Sequence, residues 1–175
     1  MYIIYDYTNL NLADELQTQR RLPLPKVLEL LKIGCEVLDH LHKLNIVHRS
    51  ISTTAFCVTE TGYKIDDFKE SKIIEAEKDC IFDKSKTLDY FLQPPEHQRC
   101  VHYFASDLYS LGRVVFTAFF GKTSHPFSSL QKKQEEVRFP GHITCPKELK
   151  SLLGDLRAVP KSCLQLLLRV YPITD

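Results

Sequence analysis

Hydrophobic positions recur at steps of three and four along residues 25–43, which places them on one face of a long helix. The positions of this face are Val27, Leu30, Leu31, Gly34, Val37, Leu38 and Leu41. Pro25 fits the first turn of such a helix, where a backbone N–H has no partner within the helix. The pattern therefore predicts an amphipathic helix that packs one face against a core.

A second segment, residues 108–120, carries apolar side chains on every side rather than along one stripe. This distribution is typical of a helix that is buried on all sides. Ser110, Arg113 and Thr117 interrupt the segment, and it is too short to span a bilayer. We therefore expect a central helix of a folded domain and no membrane partner.

Two short apolar runs, residues 56–58 and 63–65, flank a turn that contains Gly62. This arrangement predicts a β-hairpin. Periodicity alone thus favours a mainly α fold with a small β-hairpin and two or three short strands. The length of 175 residues suits one domain, which we assign to residues 1–175.

The composition says more about the protein's partners and cellular compartment than about its chemistry. A formal net charge of +1 gives no bulk attraction to nucleic acid, so no nucleic-acid partner is expected. The six cysteines form no Cys-x-x-Cys pair and no zinc spacing, which favours free thiols in a reducing compartment. The first residues lack the basic start of a secretory signal, and we expect a cytoplasmic protein.

Candidate chemistry is concentrated in four short motifs. His48-Arg49-Ser50 is followed by Ala55, and Asp67-Phe68-Lys69 comes next along the chain. Pro-Pro-Glu follows at residues 94–96, and Ser-Asp-Leu-Tyr-Ser-Leu-Gly occupies residues 106–112. In this order and spacing, the motifs resemble those of the large C-terminal lobe of a Ser/Thr protein kinase. The resemblance implies a protein-kinase-like large lobe that lacks most of the small lobe and part of the final helix.

The resemblance also implies that the catalytic chemistry is lost. Ser50 stands where the family has the Asp that accepts the substrate proton, and Ala55 stands where it has a metal-binding Asn. A serine hydroxyl is a poor base near neutral pH, and a methyl group cannot bind a cation. The chain therefore resembles a pseudokinase and is expected not to be an enzyme. It also resembles the degenerate kinase domain of the initiation-factor kinase that senses uncharged tRNA.

Asp67 is the family's metal-binding Asp that this sequence keeps. The resemblance makes it a candidate for Mg²⁺ and nucleotide binding, together with the backbone of Asp6 and Thr8 and the side chain of Cys57. The alternative is a solvated or capping carboxylate. We expect no resident cofactor, with ATP and Mg²⁺ as the alternative.

The remaining motif residues are expected to support the fold. By resemblance, His48 packs on Phe68 and Asp107 accepts hydrogen bonds from the loop backbone. In the family, the Glu at the position of Glu96 pairs with an Arg near the end of the lobe. The given sequence ends about where that Arg would follow, so Glu96 is expected to lack this partner. Arg49 binds either an activation-segment phosphate or a buried carboxylate or carbonyl. The candidate phosphorylation sites are Ser71, Ser85, Thr87 and Tyr90.

Three functions stay open at this point. The first is a catalytically inactive module that binds or allosterically regulates a protein partner, such as an active kinase domain or a scaffold. The second is a divergent ATP-dependent Ser/Thr kinase that works through Asp67, and the third is a truncated gene product without independent function. The isolated chain is expected to self-associate, because residues 2–7 would form an apolar strand without neighbours.

Overall fold

The computed structural model describes residues 10–83, 100–121, 141 and 143–155. Four α-helices lie in this described part: α1 (Leu12–Gln19), α2 (Leu24–Lys43), α3 (Phe104–Phe120) and α4 (Lys147–Asp155). Its strands are β1 (Ile46–Val47), β2 (Phe56–Thr59), β3 (Gly62–Ile65), β4 (Lys72–Ile73), β5 (Ile81–Phe82) and β6 (Val101–His102). A short 3₁₀ helix spans Phe68–Glu70.

Helices α2 and α3 form the centre of the core. Helix α2 begins at Leu24, one residue before the predicted start, and keeps Pro25 in its first turn. Helix α3 buries side chains around its whole circumference, as the absence of a polar stripe predicts. The two helices approach closely at Gly34, where a Cβ atom would collide with the side chain of Leu111.

The predicted hairpin is formed by β2 and β3, which pair antiparallel from Phe56–Ile65 to Thr59–Gly62. Gly62 has φ of 117°, a conformation that favours glycine at the tight turn. The hydroxyl of Tyr63 donates to Glu15 Oε2 on α1 at 2.8 Å. Glu15 Oε1 also accepts from Lys26 Nζ on α2 at 2.5 Å. This carboxylate thus joins the hairpin to both helices.

The pKa of the Tyr63 phenol is raised, first by burial and then by the hydrogen bond to Glu15. The phenol therefore stays protonated and remains a hydrogen-bond donor throughout the neutral range.

Two further antiparallel pairs add to the predicted hairpin, so the described residues contain more short strands than the two or three expected from the sequence. Strand β1 pairs with β4, and β5 pairs with β6, so the described residues form three two-stranded sheets. Each strand of the two added pairs has two residues, which is too short to show a period of two in the sequence. The described part of the chain is therefore a helical fold with several small antiparallel sheets.

Among the helices of the described ranges, none combines the length and the apolar character that crossing a membrane requires.

The contact at Gly34 generates a stability prediction. Gly34→Ala should lower the free energy of unfolding by about 1–2 kcal/mol, because overpacking against buried Leu111 exceeds the gain in helix propensity. Urea denaturation followed by circular dichroism measures the change. Gly141→Ala is the matched control, since a Cβ there meets no atom within 4 Å. A Gly34→Ala protein as stable as the wild type would contradict the close packing.

Candidate functional site

The loop between β1 and β2 is held by Asp107, which projects from the first turn of α3. Its Oδ2 accepts from the backbone N–H of His48 at 2.8 Å, and its Oδ1 accepts from that of Arg49 at 2.8 Å. His42 Nε2 lies 3.0 Å from the same Oδ2. Asp107 is 1% exposed, so these donors offset the cost of burying its charge. The carboxylate therefore fixes the start of the loop.

His48 is buried beneath the loop with both ring nitrogens engaged. Nε2 lies 3.1 Å from the carbonyl oxygen of Asp66, which can only accept, so Nε2 carries the proton. Nδ1 accepts from the backbone N–H of Ser50 at 3.3 Å. The ring also packs on Phe68, with the centroids 4.8 Å apart. Burial lowers the pKa of His48, and the Asp107 charge opposes the effect only in part.

Ser50 and Asp67 meet at the surface of this cluster. Ser50 Oγ donates to Asp67 Oδ2 at 3.2 Å. The ammonium of Lys69 lies 3.8 Å from Asp67 Oδ1, and the Asp67 side chain is 36% exposed. The carboxylate that the sequence marks as a metal ligand is thus flanked by a hydroxyl donor and a cation.

Ala55 lies near the end of the same loop and is fully buried. Its carbonyl oxygen accepts from the backbone N–H of Asp66 at 2.9 Å, and its own N–H donates to the carbonyl of Ser52 at 3.1 Å. Its methyl group can bind no cation. Within the described ranges, no group of three or more His, Cys, Asp and Glu side chains is arranged to hold a metal ion.

The side chain of Arg49 is completely buried. Its Nη1 donates to the carbonyl oxygen of Glu70 at 2.9 Å and lies 3.1 Å from Asp83 Oδ2. Its Nη2 lies 3.5 Å from Nε2 of buried His102. Burial and the Arg49 charge lower the pKa of His102. Among the described residues, the partners of Arg49 thus include the partly buried carboxylate of Asp83 and a backbone carbonyl. The other expected environment of Arg49, an activation-segment phosphate, stays a prediction.

Other candidate residues fall in different places. The hydroxyl of Ser71 donates to the carbonyl of His48 at 3.3 Å. Cys57 is half-buried on β2, opposite Lys64 and bridged to Asn11. Six candidates lie outside the described residues: Asp6, Thr8, Ser85, Thr87, Tyr90 and Glu96.

Sequence reasoning missed three residues of this site, namely His42, Asp83 and His102. His42 lies on the predicted helix next to its apolar face, so its position was the one local signal available. His102 lies on β6 and Asp83 directly follows β5, and both strands have only two residues, which is too short to recognise from the sequence. No motif marks either residue.

A model of one known protein family covers most of this chain. The model of the protein kinase domain matches residues 1–170. This chain therefore belongs to the protein kinase family.

The two buried histidines predict a pH dependence of stability. Their pKa values in the folded protein lie below the ordinary value of 6.5, so below about pH 6.5 the unfolded chain binds more protons than the folded one. The free energy of unfolding should therefore fall as pH falls below 6.5. The slope should reach at most about 1.4 kcal/mol per pH unit for each histidine. Urea denaturation between pH 5 and 8 measures it.

The control variants separate these histidines from other titrating groups. His48→Gln and His102→Gln should each flatten the slope, whereas His40→Gln, on the exposed face of α2, should retain it. A slope that neither buried-site variant changes would contradict the assignment.

Proposed function

We propose that this protein is a catalytically inactive kinase-like module that binds and regulates a protein partner. The observation that carries the proposal is the hydrogen bond from Ser50 Oγ to Asp67 Oδ2. Ser50 occupies the position of the family's proton acceptor, yet it directs its own proton at a carboxylate. A general base must be unprotonated near the working pH so that it can accept the substrate proton, and a serine hydroxyl keeps its proton there.

The surroundings of Asp67 also argue against phosphoryl transfer. Two metal ligands normally hold Mg²⁺ on the phosphates, and Ala55 supplies no second ligand. The Lys69 ammonium, 3.8 Å from Asp67 Oδ1, adds positive charge beside the position where a divalent cation would bind. Both the base and the metal site are thus weakened by residues of the same cluster.

We place the protein in the cytoplasm, with an active kinase domain or a scaffold as its partner. The cysteines that the structure describes are all free thiols, as expected in a reducing compartment. The net charge of +1 favours neither nucleic acid nor an anionic membrane as partner. A kinase fold that lacks its catalytic groups can still act by binding another protein through its surface.

The first test is phosphoryl transfer. With radiolabelled ATP, Mg²⁺ and generic peptide substrates, the purified protein should incorporate no label above a heat-denatured blank. The reason is that loss of such transition-state groups commonly lowers rates by about 10²–10³ for each group. The measurement is phosphate incorporated per mole of protein over time.

Variants distinguish an inactive site from a contaminated preparation. Label incorporation that Asp67→Ala abolishes would contradict the proposal and favour the divergent kinase. Label incorporation that survives Asp67→Ala comes from another kinase in the preparation. Ser50→Asp combined with Ala55→Asn restores the two missing groups and tests whether these two positions alone limit activity.

The second test is nucleotide binding. ATP at sub-millimolar concentration should leave the melting temperature unchanged, with or without Mg²⁺, because Lys69 competes with the metal at Asp67. Thermal-shift titration measures this, and Lys69→Gly is the informative variant. Any Mg²⁺-dependent stabilisation should be larger in that variant than in the wild type. A clear Mg²⁺-dependent shift in the wild type would count against the metal-site argument.

A further inference from the structure

The carboxylate of Asp83 joins two cations that come from different parts of the chain. Its Oδ2 lies 3.1 Å from Arg49 Nη1, and it also accepts a hydrogen bond from Lys72 Nζ. The Asp83 side chain is 16% exposed, and the Arg49 side chain is completely buried. A guanidinium in such a position requires an anion and hydrogen-bond acceptors, because an unpaired buried charge is costly.

The backbone fixes Asp83 in this position. Its N–H donates to the carbonyl of Cys100 at 2.9 Å, which continues the β5–β6 ladder by one residue. Lys72 lies on β4, and β4 pairs with β1, the strand that directly precedes the loop between β1 and β2. Arg49 in turn donates to the carbonyl of Glu70 in the 3₁₀ helix. The ion cluster therefore ties the segment of residues 70–83 to the loop and to β6.

We propose that Asp83 is a built-in counter-ion that holds the segment of residues 70–83 against the loop without a phosphoryl group. A phosphate and a carboxylate present the same kind of anionic oxygens to arginine and lysine. In the unmodified protein, Asp83 already supplies those oxygens to Arg49 and Lys72. A phosphoryl group added elsewhere on the chain would have to displace Asp83 to reach this pair of cations.

The experiment removes the carboxylate and offers inorganic phosphate in its place. Asp83→Ala should melt several degrees below the wild type, and millimolar phosphate should recover part of that loss relative to chloride at equal ionic strength. The wild type should show no such phosphate-specific gain. Asp39→Ala is the matched control, because it removes the same charge from an exposed pair with Lys43 on α2.

Each outcome decides the proposal. A wild-type protein that phosphate stabilises as much as Asp83→Ala would overturn it, because the cations would then accept an external anion despite Asp83. An Asp83→Ala protein that behaves like Asp39→Ala would overturn it as well. If Asp83→Ala does not fold, a cycle of Asp83→Asn and Lys72→Met replaces it. A double-variant loss of melting temperature smaller than the sum of the single losses supports the cluster, and additive losses refute it.

Discussion

The two hydrogen bonds from the backbone of His48 and Arg49 to Asp107 set the geometry on which the rest of the site depends. They span the gap between the central helix and the loop, and they are made by a buried carboxylate. Such a carboxylate is stable only where donors converge on it, so its position and that of the loop are determined together. With the loop start fixed, the ring of His48 packs on Phe68, and the guanidinium of Arg49 reaches the carboxylate of Asp83.

The residues that hold this arrangement differ from the residues that would do chemistry in it. Asp107, His48 and Arg49 are buried and form several contacts each, so replacing any of them would leave polar groups without partners. Ser50 and Ala55 have small side chains, and the backbone hydrogen bonds of Ala55 to Ser52 and Asp66 do not involve its methyl group. Exchanges at positions such as these therefore cost the fold less than exchanges at Asp107, His48 or Arg49 would.

The two central helices could be predicted from the sequence, because the hydrophobic patterns that mark a helix are periodic and local. The three- and four-residue spacing around Val27 and Leu38 identified α2, and the uniformly apolar segment identified α3. Contacts between distant residues could not be predicted in this way. The pairing of Arg49 with Asp83 depends on two-residue strands, and the junction of Glu15 with Tyr63 depends on the relative placement of a helix and a hairpin. Neither contact leaves a repeating pattern in the sequence.

A carboxylate at position 83 differs from a phosphoryl group in how long it is present. A phosphoryl group is added and removed within the lifetime of a protein, whereas an aspartate is present from synthesis to degradation. With Asp83 as the anion between Arg49 and Lys72, the fraction of molecules with this segment in place is set when the chain folds. The number of folded molecules in this state would then change only through the rates of synthesis and turnover.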